Sequence, residues 1–479
     1  MIDSKINLTM LTDFYELTMT NGYLKYGMDK QIACFDMFFR RVPDDGGFAI
    51  MAGVQQMCDY IKTLRFAEED IAFLRSKKIF CDEFLEYLKN FTFSCDVWVV
   101  PEGTPVFPHE PVVIVRGPML QAQFVETMIL LTINHQSLIA TKTNRIVRAA
   151  EGKRVVEFGS RRAQGPDAAV LGARAAYIGG CAGTACTLAE ELYGIPAVGT
   201  MAHSWIQAFD TELEAFKAYA ALYPNNCVLL VDTYNVLKSG VPNAIKAFQE
   251  VLVPMGARPK GIRIDSGDIT YLSKKARSML DAAGFSDCDI MASNSLDEYI
   301  IRDTLRQGAK LDAFGVGERL ITSKSEPVFG GVYKLVSVEK DGVEIPKIKK
   351  SENVSKITTP GFKTLYRLYE KESGKAIADV VTLAEEEIDD SKPYVIFDPE
   401  YTWKKKTVTD FYAQKLLVQA FDKGKYVYKD YALQDIRNYC KQQVDTLWDE
   451  VTRFENPHKY YVDLSEKLWE MKHKLLEEN

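Results

Sequence analysis

One rhythm constrains this chain more than any other feature. From about Phe124 to Val336, short apolar runs alternate with longer segments of helical periodicity, and each run ends in polar or glycine residues. Arg154 to Phe158, Ala197 to Thr200, Cys227 to Asp232, Gly261 to Asp265, Asp289 to Ala292 and Ala313 to Gly315 read as strands. Alternation of this kind builds a parallel sheet, because each helical crossover returns the chain to the same sheet end. Over about 200 residues it has the size of a (β/α) barrel. We therefore expect an α/β fold with an irregular, TIM-like barrel across residues 126–340. An open doubly wound sheet shares the spacing, but no GxGxxG opens a helix after the first strand and no Walker A sequence occurs.

The flanks differ. Residues 1–125 read as an N-terminal α+β domain: a helix-like opening from Leu11 to Gly22, an aromatic strand from Ala33 to Arg41, a loop at Pro43 to Gly47, and strands at Val97 to Pro101 and Pro111 to Val115. Residues 341–479 form a charged, turn-rich C-terminal α+β extension, expected to pack on the N-terminal domain and ending in a Glu- and Lys-rich helical tail. Its lysine runs, Lys347 to Lys350 and Lys404 to Lys406, suit solvated faces.

Composition removes several classes of function. A length of 479 residues calls for two or three domains, and a formal net charge of -7 lacks the basic excess of a nucleic-acid binder. Any phosphate ligand must be gripped by a local cluster. The nine cysteines contain no CxxC pair, which fits reduced thiols in a cytoplasmic protein without structural zinc. Met1 to Lys5 do not open a signal peptide, and no uncharged apolar stretch approaches about 18 residues, so no membrane segment is expected.

In parallel α/β folds, reacting groups gather where the strands end. There the chain places one of its five histidines, His203, in Gly199-Thr200-Met201-Ala202-His203-Ser204. A histidine closing a loop through hydrogen bonds is the plainer alternative. The other strand ends decide between them. Glu157-Phe158-Gly159-Ser160-Arg161-Arg162 offers a flat apolar ring and two guanidinium forks suited to phosphate or carboxylate oxygens. Asp232-Thr233-Tyr234 and Arg263-Ile264-Asp265-Ser266-Gly267-Asp268 supply carboxylates that can hold Mg²⁺, bind ribose hydroxyls or orient a histidine. Ser293-Asn294-Ser295 and Phe314-Gly315-Val316-Gly317 are small enough for backbone N–H groups to approach a phosphate. Together they suit a phosphorylated sugar plus a planar anion.

The segments TDFYELTM, FFRRVP, EFGSRRAQGPD, GTMAHSW, VDTYNV, RIDSGD, ASNSLDE, FGVGERLITS and GGVYKL, in order from about Leu11 to Leu335, resemble those of the nicotinate phosphoribosyltransferases. The resemblance implies transfer of a phosphoribosyl group from 5-phosphoribosyl-1-pyrophosphate to nicotinate, giving nicotinate mononucleotide and pyrophosphate in the first step of NAD salvage. It implies coupling to ATP, a co-substrate, through a phosphorylated histidine, which is His203, with Asp232 as the carboxylate fixing its tautomer. Phe158 and Tyr15 of the partner subunit would sandwich the pyridine in a homodimer with shared sites. Arg161 and Arg263 would meet the nicotinate carboxylate and substrate phosphates, and Thr184 and Ser204 would also line the substrate. Asn294, Gly315 and Gly317 would take the 5′-phosphate, while Arg40 or Arg41 would reach across the dimer to pyrophosphate. Asp265 would hold ribose hydroxyls or Mg²⁺, the metal otherwise riding on pyrophosphate without dedicated protein ligands.

One position speaks to the substrate. The nicotinamide-using relatives carry a carboxylate after Gly-Thr, where it accepts from the amide; here Gly183-Thr184 is followed by Ala185. Without that carboxylate there is no like-charge repulsion of nicotinate. Nicotinamide is thus the alternative substrate, quinolinate a more distant one, and a non-catalytic phosphoribosyl-binding barrel the alternative of another class.

Overall fold

The structure, a computed structural model, describes residues 7–478; Met1 to Lys5, read above, lie outside them. Two compact units are present. One runs up to Leu138 and resumes at Val328, and the other spans Ile139–Pro327. The chain leaves the first unit inside the helix Glu126–Ala149.

The first unit is organised by the strand Ile32–Phe39, buried from Ala33 onward. Its apolar residues do not alternate with polar ones because both faces of this strand are covered. It pairs antiparallel with Val113–Pro118 on one side and Gly331–Lys340 on the other. The sheet has seven strands in the order Val343–Pro346, Gly331–Lys340, Ile32–Phe39, Val113–Pro118, Asp96–Val99, Val418–Asp422 and Lys425–Tyr426. Gly331–Lys340, grouped with the barrel by the sequence pattern, thus belongs to the first unit's sheet. The ring of Phe35 stacks on that of Tyr333 with centroids 5.0 Å apart, and the Tyr333 hydroxyl donates to the Ala122 carbonyl. A four-stranded sheet of Phe411–Lys415, Lys363–Glu370, Ala376–Leu383 and Val462–Leu464 completes the unit's β structure together with two short strand pairs.

The helix Phe14–Lys25 opens this unit, and its first turn is tied down by a buried carboxyl. Glu16 accepts from the Thr127 amide (3.0 Å) and hydroxyl (2.5 Å) and from the Thr12 hydroxyl, while the Asp13 amide donates to the Thr127 hydroxyl. Burial outweighs these hydrogen bonds and pushes the Glu16 carboxyl up to about 7. On the same helix Phe14, Tyr15 and Met19 face solvent.

The second unit is built on a six-stranded parallel sheet in the order Gly183–Thr184, Arg154–Glu157, Ala313–Val316, Asp289–Ser293, Gly261–Ile264 and Val228–Leu230. The first and last strands in sequence, Arg154–Glu157 and Ala313–Val316, are neighbours, so the order is circular and open at one seam. Among the described residues no ladder closes it; the structure gives a mixed α/β fold with a parallel sheet. The expected strand Ala197 to Thr200 is reduced to a single parallel bridge between Thr184 and Ala197. Pro196 has no N–H to give to a ladder, and only its carbonyl joins, accepting from the Thr184 amide.

Candidate active site

Two of the helices that follow the strands, Ile269–Ala282 and Glu298–Arg306, are started by an aspartate side chain. Asp268 accepts from the Tyr271 amide and caps Ile269–Ala282, which gives this carboxylate a structural task. His203 opens the short helix His203–Gln207, with its side chain 40% exposed. Its Nδ1 lies 3.0 Å from the Thr233 hydroxyl, and its Nε2 lies 3.8 Å from an Asp265 carboxylate oxygen. The carboxylate that faces the His203 ring is thus Asp265 rather than the expected Asp232, and the hydrogen bond that holds the ring comes from Thr233. Asp232 instead accepts from the Ser266 hydroxyl at 2.6 Å, because Ser266, one residue beyond Asp265, turns back toward the neighbouring strand end. The other oxygen of Asp232 is buried with no partner in the protein.

Arg263 sits between these groups and holds the segment ahead of the histidine. It donates to the Thr200 hydroxyl (2.8 Å) and the Met201 carbonyl (3.1 Å), and its buried Nε has no protein partner. Burial and the nearby Arg161 lower its pKa, against the attraction of Asp265 and Asp232. Arg263 therefore anchors the histidine loop with two donors. Two of its five N–H groups are used in this way, and the buried Nε–H is among those that remain for a ligand.

Phe158 is half-buried and packs against Gly315. A Cβ at Gly315 would lie 2.5 Å from the ring, and one at Gly317 would lie 3.1 Å from the Phe158 carbonyl. Glycine is required at 315 by this close approach. Val198 and Met291 complete a small apolar patch with the ring. Arg161 and Arg162, in the turn Ser160–Arg162, are exposed, as are Ser204 and Asn294.

Thr184 departs from expectation. It is fully buried, its hydroxyl donates to Glu157 at 2.6 Å, and the same oxygen accepts from the Cys186 amide at 3.0 Å. Its hydroxyl is spent on the fold rather than aimed at a substrate. Glu157, given no role by the sequence pattern, also accepts from the Gly159 amide and so fixes the turn that carries Phe158. Burial raises its pKa, with both hydrogen bonds opposing. An acid ending an otherwise apolar strand was the available signal. Ser293, read above only as a small residue of its loop, has a side-chain task as well: its hydroxyl donates to Asp265.

Tyr15, Arg40 and Arg41 belong to the first unit. Tyr15 is 43% exposed; Arg40 donates from Nε to the Ser355 carbonyl at 3.0 Å; Arg41 is exposed and lies 3.9 Å from Asp45. Among the described residues no cluster of three or more His, Cys, Asp or Glu could hold a metal, and no helix is long and apolar enough to cross a membrane.

A parallel sheet with a half-exposed histidine, paired carboxylates and guanidinium groups at its C-terminal strand ends is the layout of an α/β enzyme that handles phosphates. The comparisons narrow this class. Models of the nicotinate phosphoribosyltransferase N-terminal domain, family and C-terminal domain match residues 10–134, 153–379 and 362–472. The chain is 41% identical to the nicotinate phosphoribosyltransferase of Bacillus subtilis (strain 168) over 468 residues, covering 97% of this chain and 94% of that protein. It is 35% identical to that of Dictyostelium discoideum, covering 97% and 88%. The crystal structure of human nicotinic acid phosphoribosyltransferase superposes with a TM-score of 0.83 at 28% identity, covering 98% of this chain and all of that one. The chain belongs to the nicotinate phosphoribosyltransferase family of enzymes.

Proposed function

We propose that the chain joins nicotinate to 5-phosphoribosyl-1-pyrophosphate, releasing nicotinate mononucleotide and pyrophosphate, with ATP and water converted to ADP and phosphate through a phosphohistidine at His203. The observation that carries this reading is the histidine held on one ring nitrogen by Thr233 while the other faces Asp265. With the proton on Nδ1 donated to Thr233, Nε2 keeps its lone pair. That lone pair attacks the γ-phosphorus, the bond from phosphorus to the ADP oxygen breaks, and ADP leaves. Asp265 stabilises the positive charge that develops on the ring.

In the transfer step the bond from the ribose anomeric carbon to pyrophosphate breaks as the pyridine nitrogen attacks, so catalysis is mostly placement and charge stabilisation. Phe158 supplies one stacking face, and Tyr15 of the partner subunit the other. The exposed Phe14, Tyr15 and Met19 support a homodimer built on that helix. Arg161 and the uncommitted N–H groups of Arg263, Nε–H among them, meet anionic oxygens. Asn294, Gly315 and Gly317 receive the 5′-phosphate, and Arg40 or Arg41, reaching across the dimer, the pyrophosphate; Thr184 acts through Glu157 rather than by contact. Ala185 carries no charge to repel the nicotinate carboxylate.

The donor set suits a Mg²⁺ that arrives on the substrate: Asp265 and the unpartnered oxygen of Asp232 are hard ligands, too few for a complete protein cage. Bound there, the ion neutralises charge building on the leaving pyrophosphate. We read the circular strand order as an irregular barrel whose seam lies between Ala197 and Val228, with Arg263 reaching Thr200 and Met201 by side-chain hydrogen bonds. A cytoplasmic location suits these soluble phosphorylated substrates.

The test is product formation from phosphoribosyl pyrophosphate with nicotinate or nicotinamide, each with and without ATP and Mg²⁺. Nicotinate mononucleotide formed faster with ATP is expected. Product from nicotinamide alone would refute the substrate assignment, and no product from either would point to a binding-only protein.

A further inference from the structure

Two loops assigned above to the 5′-phosphate are tied together by a pair of charges that the mechanism does not use. The loop after Asp289–Ser293 contains Asn294 (φ 89°) and Ser295 (φ 52°), both in the left-handed region. Neither is glycine, so each persists there only if its surroundings over-determine it. The local hydrogen bond, from the Ser295 hydroxyl to the Asn294 side-chain oxygen Oδ1 at 3.1 Å, links the two strained residues only to each other.

The restraint lies at the loop's ends. On the upstream side the Ser293 hydroxyl donates to Asp265. On the downstream side Asp297 performs two tasks with its two oxygens. Oδ1 accepts from the Tyr299 (3.1 Å) and Ile300 (2.9 Å) amides and caps the helix Glu298–Arg306. Oδ2 is paired with Nη1 of Arg319. Arg319 lies in the turn that directly follows Gly315-Val316-Gly317, so the pair spans from one phosphate loop to the other. Behind it Glu298 is fully buried against Lys142 Nζ (2.9 Å) and Arg145 Nε (3.0 Å), which gives the capped helix a fixed base. The Asp297 side chain is only 15% exposed, so water screens the pair less than it would an open surface contact.

We propose that Asp297 and Arg319 are a positioning pair that sets the Asn294–Ser295 loop against the Gly315–Gly317 loop in the spacing that receives phosphoribosyl pyrophosphate. This rests on the assignment of those loops to that substrate. Neither residue need touch it. Their effect is to keep backbone donors on two separate strand ends at one distance, where misplacement by about an ångström is costly.

The test uses the full-length protein and phosphoribosyl pyrophosphate as the probe, by calorimetry without nicotinate and by steady-state kinetics. Asp297→Asn keeps a good helix cap and removes the charge, while Arg319→Gln removes the other partner. Each is expected to raise the Kd and KM for phosphoribosyl pyrophosphate about tenfold, leaving the nicotinate KM within about twofold and the melting temperature near wild type. The double variant should be no worse than the poorer single one, since the pair acts as a unit. Arg319→Lys, which keeps the charge, should recover much of the affinity. Unchanged phosphoribosyl pyrophosphate affinity in the folded single variants overturns the positioning role, as does an equal rise in both KM values. Failure of the wild type to bind the probe overturns the functional reading itself.

Discussion

Gly315→Ala offers a graded probe of the aromatic face, because the new methyl group has a defined collision to resolve. Its carbon would sit 2.5 Å from Phe158 Cδ2, 2.6 Å from Cε2 and 3.1 Å from the Met291 methyl. Carbon atoms in contact prefer about 3.5–4.0 Å, so the ring must move by roughly an ångström. The strand is paired on both sides, with Gly315 opposite Ser293 and Val156, and it yields less readily than a half-buried ring. Overpacking of this kind costs about 1–3 kcal/mol. In a unit of this size that lowers the melting temperature by about 2–4 °C per kcal/mol. The displaced ring no longer stacks on the pyridine, and a lost stacking face is worth about 0.5–1.5 kcal/mol, or roughly a two- to thirteenfold rise in nicotinate KM. Steady-state kinetics at saturating phosphoribosyl pyrophosphate, alongside thermal melting, measure both effects. A folded variant whose nicotinate KM stays within about 1.5-fold of wild type would refute the assignment of Phe158 to the pyridine.

His203→Ala is expected to abolish ATP hydrolysis while leaving slow, uncoupled nicotinate mononucleotide formation; ATP consumption at the wild-type rate in that variant would remove the phosphohistidine. Glu16→Gln should flatten part of the pH dependence of stability. With the Glu16 carboxyl raised from 4.5 to about 7 in the folded state, the native protein binds more protons than the unfolded chain between those values, so stability falls as pH rises through that window. Urea melts at pH 5 and pH 8 should show the variant gaining on wild type at the higher pH, by roughly 3 kcal/mol at most. An equal difference at both pH values would contradict this.

What the sequence disclosed was the part carried by local patterning. Apolar runs that end in glycine, Asp or Ser betray parallel strands and the end at which chemistry collects, so His203, Asp265, Arg263 and Phe158 could all be placed near strand ends without coordinates. Which carboxylate faces His203 was not readable. Asp232 and Asp265 occupy equivalent positions on adjacent strands, and only the side-chain directions, with Ser266 drawing Asp232 away, distinguish them. The commitment of Thr184 to Glu157 joins residues 27 positions apart through hydrogen bonds that leave no periodic trace. The same holds for Gly331–Lys340, which the pattern grouped with the barrel but whose partner, Ile32–Phe39, lies some three hundred residues earlier. The expected strand at Ala197 failed for a local reason: a proline in a short edge segment removed the donor that a ladder needs.

That long-range pairing carries a consequence for how the protein is made. Ile32–Phe39 is a central strand whose second edge stays bare until Gly331–Lys340 has been synthesised. The whole of the intervening unit emerges from the ribosome first and can fold on its own schedule, since domains generally form as they appear. Meanwhile the amino-terminal part waits with a long apolar edge strand exposed, the kind of surface that recruits another nascent chain. Truncation shortly before residue 331 would therefore yield a second unit with all its strands and an unfinished, adhesive sheet in the first.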